Sequence, residues 1–266
     1  PYFNNILYLV VKDRTTMCYD VSYLRQKIVK YRKSHDLKNI EEILKKVPKA
    51  YHMSGFEHPD LPAVTKEDMH LLQPMEWGLV PFFIKDVTQA TGIANKTLNA
   101  RGETIFEKPS FKNSAKNMRC AVLLDNFYEH QHLKDKTTVP HMISMKEEKP
   151  FWVGGLYSVW TLGDIKKVTV SLITTEANPM MKKIHNGGPN AGRMPFIVPD
   201  EMLEDWLKIE ADDKAAKDHI REMIKPYDQD EMQAYTVGRL RGKSAVGNNE
   251  EVLKEVKYQQ PPPTLF

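Results

Sequence analysis

From Arg119 onward the chain changes character, and the change limits what it can fold into. The segments RCAVLL, NFYEH, VPHMISM, FWVGGLYSVW, KVTVSLITT and MPFIV follow one another at short intervals. Each is rich in β-branched or aromatic residues, and turn-formers separate them, among them Leu162-Gly163-Asp164. Too little helical sequence lies between them for alternating βαβ units, so the strands are expected to pair mainly antiparallel. Helical periodicity is confined to other parts of the chain. In DVSYLRQKIVKYRKSHD, Leu24, Ile28 and Tyr31 recur at helical spacing, with Asp20 or Ser22 as the cap. In DLKNIEEILKKV, Leu37, Ile40, Leu44 and Val47 share one face. DEMLEDWLKI predicts a late helix with Asp200 as N-cap and Leu203, Trp206 and Leu207 turned inward. ETIFEKPSF is helix-like, whereas MEWGLVPFFIKD, apolar and interrupted by proline, reads as a strand entering a turn. With no repeat, linker or low-complexity block, the expectation is one α+β domain, a mainly antiparallel β-sheet with peripheral helices.

Among 266 residues, 41% are hydrophobic and 27% charged, the balance of a folded globular chain. A net charge of +3 permits a nucleic-acid partner without demanding one. The two cysteines, Cys18 and Cys120, build no disulfide framework, which fits a reducing compartment. The run ILYLVV is too short to span a bilayer and lacks the flanks of a signal peptide. A cytoplasmic monomer without membrane contact is expected.

Four places carry candidate chemistry. Cys18 follows Met17 directly; it is either a small buried apolar residue or a nucleophile. Cys120, inside a strand-like run, reads as core. Glu129 lies among aromatic residues, and alternation puts it on one face with Phe127, opposite Tyr128 and His130. Such a carboxylate is either on the polar face or in a low-dielectric pocket. His185 precedes a loop rich in Gly, Asn and Pro, eight residues before Arg193, where loops often present functional groups. In TLNARGET, Asn99 and Arg101 serve either a turn or, through the guanidinium fork, a phosphate. His130, His132 and His141 lack further ligands at a structural-zinc spacing, so no metal and no cofactor are expected. GxGxxG, Walker, GxSxG and HExxH patterns are all absent.

The order of these segments is more specific than any one of them. Met17-Cys18, WGLVP at 77–81, NARGET at 99–104, RCAVLLDNFYEH at 119–130 and ITTEANPMMKKIHNGGPNAGRMP at 173–195 together resemble the SOS response-associated peptidase (SRAP) family of abasic-site-processing proteins. The resemblance runs from Met17 to about Val246. It implies a single compact SRAP-type domain over residues 17–258, with 1–16 as an N-terminal extension outside it and 259–266 as a frayed tail.

The activity implied by the resemblance is covalent capture of abasic sites in single-stranded DNA. The nucleophile would be Cys18, made N-terminal by removal of Met17, with Asn99, Glu129 and His185 as the other catalytic residues. An N-terminal cysteine presents an amine and a thiol in the 1,2 arrangement that closes a five-membered thiazolidine on an aldehyde. Both groups titrate near or above neutral pH, so neighbours must assist. Glu129 suits proton shuttling during loss of water, His185 protonation of the sugar ring oxygen, and Asn99 orientation of the amine. Arg101 and Arg193 are the expected phosphate contacts, with Thr174, Thr175 and Asn178 also along the DNA backbone. Trp77 either lines the strand channel or belongs to the core.

The sequence departs from the family pattern at three points. Tyr19-Asp20 stands where Gly-Arg is common, which removes a phosphate contact and adds a negative charge. His130 replaces a tryptophan, and Gly102 a small polar residue, the latter expected to be harmless. Residues 1–16 read as upstream read-through or a removable leader, and while they remain the Cys18 nitrogen is locked in a peptide bond. Two alternatives use the same residues differently. One is a cysteine-type peptidase releasing its own N-terminal residues, and the other is a non-catalytic single-stranded DNA-binding module.

Overall fold

The computed structural model describes residues 19–26, 28–135 and 137–258. Met17, Cys18, the 1–16 extension and the 259–266 tail lie outside them. In chain order the elements are β1 (Asp20–Tyr23), α1 (Ile28–His35), α2 (Ile40–Lys46), β2 (Ala50–Ser54), β3 (Asp60–Thr65), β4 (Asp68–Trp77), α3 (Val87–Ala94) and β5 (Asn99–Arg101). There follow α4 (Lys112–Asn117), β6 (Arg119–Leu124), β7 (Asn126–His132), β8 (Thr138–Met145), β9 (Phe151–Leu162), β10 (Ile165–Glu176) and α5 (Pro179–Ile184). The chain continues with β11 (Arg193–Pro195), β12 (Ile197–Val198), α6 (Leu203–Lys208), α7 (Lys214–Met223) and β13 (Met232–Thr236).

The strand-rich half behaves as its pattern predicts. Gly163, at φ +57°, makes the tight turn that joins β9 to β10, and the two strands pair antiparallel from Leu162–Ile165 to Gly155–Leu172. Two sheets result. One has the order β13-β8-β7-β1-β2, all antiparallel. In the other, the pairings β10–β4, β4–β3, β3–β6, β6–β9 and β9–β10 return to their start, so five strands close into a ring. Among the described residues the only parallel pairings are those of β10 with β4 and with β5. The α+β domain with mainly antiparallel sheet is therefore the observed architecture.

The first expected helix is shorter than its periodicity suggests. Asp20–Tyr23 is strand, buried at all four positions, and the helix starts at Ile28. Pairing of β1 with both β2 and β7 supplies two hydrogen-bonded neighbours, which outweighs a helical spacing shared by only three apolar residues. Asp200 opens a 3-10 turn, Asp200–Met202, and caps nothing with its side chain; α6 starts at Leu203 with Trp206 and Leu207 buried as expected. ETIFEKPSF contains no α-helix; a 3-10 turn covers Gly102–Thr104, and α4 begins only at Lys112. The glycine of NARGET fits closely here: a Cβ on Gly102 would lie 2.5 Å from Ile224 Cγ2.

The five-stranded sheet has two buried faces. The paired residues Phe127 and Ile143 point into the main core, which also holds Val21, Trp152 and Trp206. The next pair, Tyr128 and Met142, points the other way, into a smaller cluster with Val237, Leu240 and Val252 from the C-terminal segment. One buried cation ties the helices to the barrel. Arg119, only 1% exposed, donates from Nε to Trp206 O at 2.7 Å and from one terminal nitrogen to Ala115 O and Lys116 O, both at 2.8 Å. Its other terminal nitrogen donates to Ile209 O. A single guanidinium thus satisfies carbonyls at the C-terminal ends of both α4 and α6. Burial lowers its pKa to about 10, which still leaves it charged at neutral pH.

Candidate active site

Glu129 sits in the middle of β7, 5% exposed, on the face that Phe127 gives to the main core. Its Oε1 accepts the His130 backbone N–H at 3.0 Å. β1 pairs with β7 so that Asp20 stands opposite Tyr128, and the chain therefore enters β1 beside Glu129. Cys18 itself lies outside the described residues.

His185 is brought to Glu129 by α5. Asn178 caps that helix, its Oδ1 accepting the Met181 N–H at 2.8 Å, and Pro179 occupies the first turn. The helix stops at His185, whose ring is 2% exposed. His185 Nδ1 is 2.9 Å from Arg193 O and 3.7 Å from Glu129 Oε2. A carbonyl only accepts, so Nδ1 carries the proton and gives it to Arg193 O; the Glu129 contact is electrostatic. Nε2 is the nitrogen left for chemistry. It is buried and meets no hydrogen-bonding partner among the described residues.

Asn99 lies on β5, 6% exposed, in parallel register with Leu172 of β10. Two residues on, exposed Arg101 donates to Asn190 Oδ1 in the loop between His185 and Arg193. Arg193 spreads its fork over Glu103, at 2.6 and 2.9 Å, and donates to Thr174 O at 2.7 Å. Burial pushes the Glu103 carboxyl up, but Arg193 outweighs this and holds it below its ordinary range.

Four other expected DNA contacts use their side chains within the protein. Trp77 is fully buried and donates from Nε1 to Leu98 O at 2.8 Å. Thr174 and Thr175 are buried, Thr175 donating to Ile224 O at 3.2 Å, and Asn178, besides capping α5, donates to Tyr227 O at 2.9 Å. Among the described residues no group of three or more His, Cys, Asp and Glu side chains could hold a metal ion. None of the described helices is long and apolar enough to cross a membrane.

Sequence reasoning missed a cluster on the opposite sheet face. The Asp20 carboxylate, expected to add a negative charge, is 2% exposed and matched by His52 and Arg241. Burial raises its pKa, yet the His52 hydrogen bond and the Arg241 charge bring the net value below the ordinary range. His130 shares this face. Burial chiefly, with Arg241, His132 and His52, lowers its pKa from 6.5 to about 4 against the opposing pull of Asp20. The folded state therefore binds fewer protons than the unfolded state between these values. His130 contributes stability that is present above pH 6.5 and lost as pH falls toward 4, on the order of 3 kcal/mol in all. The urea midpoint of wild type should fall between pH 7 and 5, and His130→Gln should flatten that fall; equal slopes would refute it.

The family model for the SOS response associated peptidase (SRAP) matches residues 14–244. The chain belongs to the SRAP family. It is 36% identical over 184 residues to abasic site processing protein YoqW of Bacillus subtilis, covering 69% of this chain and 76% of that protein. It is 28% identical over 194 residues to abasic site processing protein YMR114C of Saccharomyces cerevisiae, covering 72% of this chain and 50% of the relative. The crystal structure of a protein from Bacteroides thetaiotaomicron superposes with a TM-score of 0.77 at 31% identity, over 90% of this SRAP chain and all of the other.

Proposed function

We propose that this protein processes abasic sites in single-stranded DNA by covalent capture through Cys18, once that residue is N-terminal. The observation that carries the reading is the buried pair of Glu129 and His185, 3.7 Å apart, next to the point where the chain enters β1. Relatives named as abasic site processing proteins give the substrate class.

The steps use the groups as they stand. The closed sugar of an abasic site opens when its C1 hydroxyl loses a proton and its ring oxygen gains one, leaving an aldehyde. His185 is suited to the second transfer, since its Nδ1–H is committed to Arg193 O and Nε2 is the nitrogen able to exchange a proton. The Cys18 amine adds to the aldehyde carbon, and Glu129 carries protons from nitrogen to the departing hydroxyl, which leaves as water. The thiolate then adds to the imine carbon and the nitrogen takes back a proton. Aldehyde and aminothiol have become thiazolidine and one water. Asn99 orients the amine; exposed Arg101 is the first phosphate contact, Arg193 joins it only by giving up its fork on Glu103, and Trp77, Thr174, Thr175 and Asn178, expected as DNA contacts, serve as the frame beneath.

The test compares protein beginning at Cys18 with the 266-residue chain. Each is incubated with a uracil-containing oligonucleotide pretreated with uracil glycosylase and resolved under denaturing conditions. The Cys18-initiated protein should give a heavier, denaturation-resistant band, and its Cys18→Ala variant none. No band from the Cys18-initiated form refutes capture. A band from a chain whose Cys18 nitrogen is still in a peptide bond, verified by intact mass, refutes the thiazolidine.

A further inference from the structure

Asp20 opens β1 on the sheet face opposite Glu129. His52 Nε2 lies 3.0 Å from its Oδ1, and Arg241 donates to Oδ2 at 2.5 Å, so both carboxylate oxygens are engaged. Arg241 arrives from the segment after β13. That segment is rooted by Leu240, which is buried with Tyr128, Met142, Val237 and Val252. It is closed by the Val246 N–H donating to Arg239 O at 2.9 Å. No acidic residue occurs between Met232 and Asn249, whereas Arg239, Arg241 and Lys243 are all exposed.

Arg241 joins two environments. One nitrogen is seated on a carboxylate with 3% side-chain exposure, while the arginine side chain remains 40% exposed. A guanidinium holds five N–H donors in a rigid planar fork. Fixing one edge on a buried anion fixes the plane, and the open part keeps donors for a second anion. Asp20 is two residues after Cys18, at most ~7 Å of extended chain. An anion held on the open side of Arg241 therefore lies near whatever Cys18 holds.

We propose that Arg241 binds a backbone phosphate of the DNA strand being processed, with Asp20 as the positioning residue that aims it. This rests on the DNA reading above. The charge expected to be lost from β1 at Asp20 is supplied across the sheet by the C-terminal segment.

The salt dependence of single-stranded DNA binding separates this role from a structural one. Each phosphate neutralised on a single strand contributes about 0.7 to the slope of log K against log salt. Arg241→Gln should weaken binding of an intact oligonucleotide about tenfold at low salt and reduce that slope by about 0.7. Asp20→Asn breaks the same ion pair but leaves the cation, so its slope should equal that of wild type. If Arg241→Gln keeps the wild-type slope, or if both variants lower it alike, the proposal is overturned while the DNA reading stands. If wild type itself shows no salt-dependent binding, both readings fall.

Discussion

Replacement of Glu129 by glutamine is expected to slow crosslink formation by about 10²–10⁴-fold, the range a positioned acid–base group contributes. The substitution is close to isosteric. A glutamine oxygen still accepts the His130 N–H that Glu129 Oε1 accepts at 3.0 Å, so the local backbone has no reason to move. What disappears is a group able to take and return a proton, 3.7 Å from the His185 ring. Binding to an undamaged strand should be unaffected, because Glu129 is buried and has no donor to offer a phosphate. Single-turnover crosslinking of the Cys18-initiated protein measures the rate, and an electrophoretic shift with intact oligonucleotide measures the binding. A wild-type crosslinking rate for Glu129→Gln would remove the carboxylate from the mechanism.

The largest expected loss of stability is at Arg119. Arg119→Met keeps much of the buried stem but takes the guanidinium donors from the carbonyls of Ala115, Trp206 and Ile209, while Lys116 O keeps the Ala211 N–H at 3.1 Å. Each unsatisfied buried group costs about 1–3 kcal/mol, and relaxation of the two helix ends recovers part of it. A net loss of about 3–5 kcal/mol is expected, a large share of the 5–15 kcal/mol that usually holds a folded domain. Arg119→Lys should recover little, because one ammonium cannot reach the ends of α4 and α6 together. Urea denaturation measures both variants. A loss below about 1 kcal/mol for Arg119→Met would show that the helix ends find other partners.

How far the sequence reveals this molecule depends on the range of the interaction concerned. The strands from Arg119 to Val198 were legible because alternation, β-branching and the Gly163 turn are local, and each agrees with the pairing that follows. Asp20–Tyr23 was misread because its strand state is imposed by β2 and β7, one of them about a hundred residues away. The short helices α4 and α5 carry too few turns to show a period. Glu129 and His185 stood out through the order of motifs around them, and their proximity needed α5 to deliver it. The match of Asp20 with Arg241 had no local signal, since 221 residues separate the partners. Nor did Arg193 announce that Glu103 would occupy its fork.

The place of β1 in its sheet has a mechanical consequence. It is an interior strand, hydrogen-bonded to β7 on one side and β2 on the other, antiparallel to both. A tether attached just before Asp20 pulls along the strand axis, at right angles to those hydrogen bonds. Force applied in that direction shears both ladders at once and does not open them one bond after another. The Arg241 contact to Asp20 adds a cross-brace at the loaded end. A protein joined to DNA at Cys18 would thus meet a passing motor with its anchor strand in its most resistant orientation.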